Sequence, residues 1–329
     1  MKTSAIKFVF FVAFILWSFL LTVFSQSPDY TFTHKNKIEL LFFSPAGTLL
    51  AAEDSSDFNI YEMKTGNLRG TLERKGFANS AIFSNDGKFL ITGNNYGEVN
   101  IYDTSDLSLT KTFPVTRWSI YSLAISPDNL NLAVDMGDGT IEIWNLKDGE
   151  KINTLGEKGL RMKFMTYSPG GKLLASTNLE SRISIWNLGK PEKSFSLSTY
   201  SQSAPAFCQG GAELAVANLL EIKFINTNDG QILRTLPIPK EYIPYTPQNL
   251  GGNFHGKVSV ANGCKTVIIN NYKTKTITLL DVATKKIKQI TDDSASEGSS
   301  FITDFLPLTN TNLITNGSTK GEIKVWRIK

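Results

Sequence analysis

Two histidines, two cysteines and one acidic loop are the residues whose types offer chemistry in this 329-residue chain. A Ser-His-Asp site would need His34 or His255. His34 ends an alternating run, Tyr30-Thr31-Phe32-Thr33-His34, which reads as a strand. His255 sits in the Gly-rich stretch Leu250-Gly251-Gly252-Asn253-Phe254-His255-Gly256, with no Gly-x-Ser-x-Gly beside it, and reads as a loop residue. Asp292, Asp293 and Glu297 lie in a Ser-rich stretch that lacks the spacing and closing Glu of an EF-hand. Cys208 and Cys264 are far apart and no Cys-x-x-Cys occurs, so neither a disulfide framework nor a zinc site is indicated. The glycines fall at turns rather than between a strand and a helix, which gives no support to nucleotide binding. The expectation is a protein that is not an enzyme and carries no cofactor or metal.

Recognition chemistry is better represented. Three short segments combine cations with aromatic or apolar groups: Arg74-Lys75-Gly76-Phe77, Arg117-Trp118 and Lys158-Gly159-Leu160-Arg161. Arg and Trp are favoured where binding energy concentrates. A fourth candidate is the stretch 237–256, whose four prolines and Tyr242 and Tyr245 make it stiff and adhesive. Each has a plainer reading. The basic segments can be ordinary solvated loops with Trp118 packed between structural units, and the 237–256 stretch can simply cover weak neighbours.

What positions these segments is a repeat. Ser44-Pro45-Ala46-Gly47, Ser84-Asn85-Asp86-Gly87, Ser126-Pro127-Asp128-Asn129 and Ser168-Pro169-Gly170-Gly171 recur, with a degenerate copy at Cys208-Gln209-Gly210-Gly211. The spacings are 40, 42, 42 and 40 residues. Ser first, Pro second and Gly fourth suit a type I turn. An apolar strand flanks each turn on either side, and a third strand alternates, as in Thr140-Ile141-Glu142-Ile143-Trp144 and Glu322-Ile323-Lys324-Val325-Trp326. The residue closing that third strand is Tyr61, Tyr102, Trp144, Trp186, Ile225, Leu280 and Trp326, which makes seven copies. A fourth, more polar strand follows most of them after a Thr-Gly or Asp-Gly turn, at Thr65-Gly66, Asp148-Gly149 and Asp229-Gly230.

Four short strands per unit of about 40–45 residues is the pattern of propeller blades. The segment from Ile120 to Leu155 resembles a WD40 repeat along almost its whole length, and the resemblance extends over roughly residues 30 to 329. It implies an all-β, seven-bladed β-propeller of four-stranded antiparallel blades, near 38–72, 77–113, 118–155, 160–197, 203–236, 257–290 and 299–329. Two features depart from the family. No Gly-His pair occurs, and the Trp-Asp pair is never intact: Tyr102-Asp103 and Leu280-Asp281 keep the Asp, Trp144-Asn145 and Trp186-Asn187 the Trp. The family's His–Ser–Asp–Trp hydrogen-bond network is therefore expected to be missing, and blades five and six are degenerate. The last blade stops at its third strand, so the run 30–34 is expected to supply the fourth and close the ring. The resemblance implies a platform for partner proteins or peptides, with the three basic segments side by side on the top face of blades two to four. Such an arc would suit an acidic partner. Enzyme chemistry in the central channel is the alternative class.

The first 25 residues stand apart. Lys2 and Lys7 precede an apolar run from Phe8 to Phe24, and Val23-Phe24-Ser25 offers a small-residue exit. This reads as an export signal cut after Ser25, or as a retained membrane anchor of an envelope assembly or sensor factor, since the run is at the short end of a spanning helix. Export to the periplasm, cell surface or exterior is expected; the low cysteine count fits a cytosolic protein or an exported bacterial one equally well. The net charge of +4 is too mild for nucleic-acid binding. A monomeric propeller touching a membrane only through 8–24, if that run is retained, completes the reading.

Overall fold

The computed structural model describes residues 21–24, 27–33, 36, 38, 40–54, 57–73, 75–76, 78–156, 158–159, 162–190, 192–198, 204–218, 220–242, 256–271, 274, 276–291, 302–307, 312–317 and 321–328. Strands β1 (Leu21–Phe24) and β2 (Tyr30–Thr33) precede the repeats. Blade one is β3 (Leu40–Phe43), β4 (Leu49–Glu53), β5 (Phe58–Glu62) and β6 (Leu68–Leu72). Blade two is β7 (Ala78–Phe83), β8 (Phe89–Asn94), β9 (Glu98–Asp103) and β10 (Leu109–Pro114). Blade three is β11 (Leu123–Ile125), β12 (Asn131–Asp135), β13 (Ile141–Asn145) and β14 (Lys151–Leu155). Blade four is β15 (Met162–Tyr167), β16 (Leu173–Asn178), β17 (Arg182–Asn187) and β18 (Glu192–Ser198). Blade five is β19 (Ala206–Cys208), β20 (Glu213–Ala217), β21 (Glu221–Asn226) and β22 (Ile232–Pro237). Blade six is β23 (Gly256–Ala261), β24 (Thr266–Asn271), β25 (Thr276–Asp281) and β26 (Ile287–Thr291). Blade seven is β27 (Ile302–Pro307), β28 (Asn312–Gly317) and β29 (Glu322–Ile328), with β2 outermost. Among the described residues these make seven sheets, each a four-stranded antiparallel blade, with β1 added to blade six as a fifth strand.

The repeated serine explains why the turns form. Ser44, Ser84, Ser126 and Ser168 are buried. In each, the carbonyl accepts from the fourth turn residue, Gly47, Gly87, Asn129 or Gly171, all at positive φ. The hydroxyl accepts from the first amide of the next strand, Leu49, Phe89, Asn131 or Leu173, at 2.9–3.0 Å. One side chain thus satisfies a buried donor that the turn would otherwise orphan. In two turns the hydroxyl also donates to a carboxylate, Ser84 to Asp86 at 2.6 Å and Ser126 to Asp128. Those hydrogen bonds hold both carboxyls below their ordinary value of 3.8. A depressed folded-state value stabilises above the unfolded one and is lost as pH falls through the folded one. Melting temperature is therefore expected to drop on acidification below about pH 4. Ser126→Ala should flatten that drop and cost about 1–3 kcal/mol in urea titrations at neutral pH, because the Asn131 amide loses its acceptor.

The blades are held to one another by apolar stacking. Seven clusters of buried side chains lie one between each pair of neighbouring blades. Leu50, Ala52 and Phe43 meet Ile323 and Val325 across blades one and seven, and Ile268, Ile277 and Ile290 meet Trp326 across six and seven. Blades five and six carry the weakest repeat signatures yet share the cluster of Phe224, Ile222, Val267 and Ile269. One backbone bond also recurs outside the side chains. The residue two past the end-of-third-strand position (Met63, Thr104, Leu146, Leu188, Thr227, Val282) donates to the carbonyl just before the second strand of its own blade. This geometry survives in blades five and six because it asks nothing of side-chain identity.

The ring closes through β2, antiparallel to β29 with Tyr30 opposite Val325 and Phe32 opposite Ile323. His34 lies outside the described residues. Asp29 clamps the junction: its amide donates to the Val325 carbonyl, and its carboxylate accepts from the Arg327 amide. The Arg327 guanidinium donates to the Tyr30 hydroxyl.

Two expectations are corrected. Cys208 and Cys264 form a disulfide, with Cα atoms 5.2 Å apart. Cys208 ends the innermost strand of blade five and Cys264 lies in the first hairpin turn of blade six, so a ring places side by side what the chain separates by 56 residues. The hydrogen-bond network is also only partly missing. In blade four the Trp186 indole donates to the Ser176 hydroxyl at 2.9 Å, and both are buried. The Ser–Trp arm thus persists.

Candidate functional site

The loops joining second to third strands are locked by asparagine or aspartate. The Asn94 side-chain carbonyl accepts from the amides of Tyr96 and Glu98, that of Asn178 from Glu180 and Arg182, and that of Asn218 from Leu220 and Glu221. In blade one the Asp54 carboxylate accepts from the Asp57 amide. Such turns fix the loop without a long cap. They also present an apolar side chain at the tip: Tyr96, 65% exposed, Leu179, and Leu220, 60% exposed.

The inter-blade loops lie against these turns. Gly97 accepts, through its carbonyl, from the amides of Val115 and Thr116, and the Asn95 carbonyl accepts from the Ser119 hydroxyl. A Cβ at Gly97, where φ is +78°, would meet the Thr116 carbonyl oxygen at 1.9 Å. Only glycine permits so close an approach. One blade further on, the Asp138 carbonyl accepts from the Gly159 amide, and the Thr140 hydroxyl and neighbouring Lys158 hold the Asp138 carboxyl below its ordinary range. On the other side, the Lys75 carbonyl accepts from the Asn94 side-chain amide, and Gly76 abuts the Tyr96 ring.

Lys75, Arg117, Trp118 and Lys158 are therefore exposed on one continuous face of blades two to four, bridged by Tyr96, Gly97, Gly137 and Asp138. Trp118 is 57% exposed and does not pack between blades. Its β-carbon rests on Gly137, and the Arg117 guanidinium sits 5.8 Å from its ring centroid, within cation–π range. Arg74, Phe77 and Arg161 lie outside the described residues. The described stretch is less purely basic than the sequence suggests, because Asp138 stands within it beside Lys158.

The tyrosines of the insertion separate. Tyr245 lies outside the described residues, as does His255. Tyr242 is 9% exposed and belongs to the core between blades five and six with Cys208, Cys264 and Ile238. Its expected role as a contact residue is corrected to packing: an apolar ring beside two degenerate blades gains more from burial than from display. The sequence reading missed Tyr96, Leu179 and Leu220. The available signal was an apolar residue one or two positions after an Asn between alternating strands, as in Asn94-Asn95-Tyr96.

Among the described residues, no group of three or more His, Cys, Asp and Glu side chains could hold a metal ion. No helix among them is long and apolar enough to cross a membrane.

Comparison with known proteins agrees with this architecture. The family model described as "WD domain, G-beta repeat" matches residues 107–145. Over 157 residues the chain is 26% identical to the WD repeat-containing protein SL1-17 of Schistosoma mansoni, covering 47% of this chain and 52% of that one. Over 158 residues it is 23% identical to the target of rapamycin complex subunit LST8 of Rattus norvegicus, covering 46% and 48%. The chain thus matches about half the length of these relatives. A chain in the crystal structure of the mitotic checkpoint complex superposes with a TM-score of 0.73 over 100% of this chain and 97% of that one, at 16% identity, which is a likeness of fold. Repeat, blades and matches together make this chain a β-propeller whose repeats are similar to those of the WD40 kind, at low identity. Propellers of this class are generally non-enzymatic platforms for protein partners.

Proposed function

We propose that this chain is an exported, non-enzymatic scaffold that binds a protein or peptide partner on the face built by Lys75, Tyr96, Arg117, Trp118 and Lys158. The observation that carries the reading is Trp118, a large ring left exposed on a backbone braced by Gly97 and Gly137. Rigid aromatic groups beside cations give binding energy at low ordering cost. The partner's matching surface has an apolar segment with acidic groups flanking it, facing Arg117 and Lys75. One similar protein is named as a complex subunit, and one solved chain of this fold sits in a complex, which supports an assembly role. The apolar run 8–24 and the Cys208–Cys264 disulfide support export, since disulfides persist in oxidising compartments.

The test is capture of partners by the immobilised full chain, alongside an Arg117→Ala/Trp118→Ala variant. Loss of a hot spot of at least 2 kcal/mol is expected to weaken retention about 30-fold or more. Melting temperature should be unchanged, because both side chains are exposed. Undiminished retention by the variant would remove the top face from the reading. N-terminal sequencing of the mature protein addresses export separately: a start at Gln26 is expected, and an intact Met1 would replace the cut signal with a retained segment.

A further inference from the structure

Each blade of a propeller ends in an outer strand whose free side can pair with another chain, and proteins normally guard such edges. This chain guards five of them in one way. In blades one to five the register between third and fourth strands shifts beside Tyr61, Tyr102, Trp144, Trp186 and Ile225, leaving an extra residue in the outer strand. Bulges of this kind twist an edge away from straight pairing. Pro114 and Pro237 end two of these strands, β10 and β22. In blade seven the outer strand is the four-residue β2, tied at its start to β29 through Asp29.

Blade six differs. Its β25–β26 register runs unbroken from Leu280 opposite Ile287 to Thr276 opposite Thr291. The sequence of β26, Ile-Lys-Gln-Ile-Thr, has one charge and no proline. On this edge alone among the described blades a fifth strand is seated. Leu21–Phe24 pairs with it in parallel, with Leu21 opposite Ile287 and Phe24 opposite Ile290.

We propose that the outer edge of blade six is a strand-acceptor site for an extended apolar segment of a partner protein, held in place in the uncut chain by Leu21–Phe24. The occupant's chemistry is read from the segment seated there: four residues, Leu-Thr-Val-Phe, of strand-forming type and without charge. Main-chain hydrogen bonds supply affinity in such additions, and alternate side chains supply selectivity. Any process that draws residues 1–25 away, by cutting or by insertion into a membrane, vacates the edge for the partner. This surface is separate from the top face, so either can fail without the other.

Hydrogen exchange on the full chain tests it. The alternate amides of residues 287–291 that face β1 are expected to exchange at least tenfold more slowly in the uncut, unsubstituted chain than in its Thr22→Pro/Val23→Pro variant. The paired substitutions ensure that one imide faces β26 whichever alternate row bonds. Both positions lie outside the seven blades, and an unchanged melting temperature confirms that the ring is intact. Adding a synthetic peptide of residues 20–26 to the variant should restore the protection, while the same peptide N-methylated at the Val23 and Phe24 positions should not. Equal exchange in native chain and variant, or no restoration by the peptide, overturns the proposal. Protection in the variant that rises with protein concentration, without peptide, assigns the edge to a second copy and overturns the partner assignment.

Discussion

Replacing Cys208 with serine is expected to lower the stability of the folded chain by about 4 kcal/mol, the loop-closure value for a cross-link spanning some 56 residues. The reason is topological. The disulfide joins the innermost strand of blade five to blade six, and between its ends runs the longest insertion in the ring. Without it the unfolded chain gains the freedom of that whole segment, while the apolar contacts of Phe224, Val267 and Ile269 remain to hold the interface. Cys264→Ser should cost the same, and the double variant no more than either single, because each single already removes the link. Urea titrations with and without reductant provide the check. A native chain whose midpoint ignores reductant would show that the interface does not depend on the link. Free-thiol alkylation before and after reduction would show whether the bond is formed in the isolated chain.

That the bond was not legible in sequence has a physical cause. Cysteine spacing along the chain says nothing once a ring places residue 208 beside residue 264. The blades, by contrast, were legible because their determinants are local: a serine that accepts from a strand amide five residues on leaves a signature in the first four repeats. Trp186 with Ser176 shows an intermediate case, a pair within one blade whose meeting depends on the strand register. For the binding face, the cations and Trp118 were readable as residue types. Their continuity was not, since it rests on backbone contacts of Gly97 with Thr116 and of Asp138 with Gly159 across blade boundaries. Tyr242 misled because proline-flanked tyrosines look the same whether a neighbouring core has room for them or not.

Phe32→Ala should cost about 3–5 kcal/mol, the usual range for removing a buried aromatic ring. Phe32 is buried, stacks on Tyr61 at 5.3 Å between centroids, and fills the space over Gly66, where an added Cβ would meet its ring at 2.9 Å. It reaches from the closing strand into blade one, so it ties blade seven's outer edge to its neighbour. The other six interfaces join blades that are consecutive in the chain. Phe32's own blade is completed by the pairing of residue 32 with Ile323, and closing about 290 residues instead of about 40 adds roughly 2 kcal/mol of entropy to be offset. The loss should consequently be local before it is global. Amides of β2, β29 and β3 should exchange faster in the variant, while those of β12, β13 and β16 keep native protection. Tyr30→Phe is the matched control: it removes only the exposed hydrogen bond to Arg327, and should cost under about 1 kcal/mol. Uniform loss of protection around the whole ring in Phe32→Ala would mean that the blades unfold as one unit, and that no single interface governs closure.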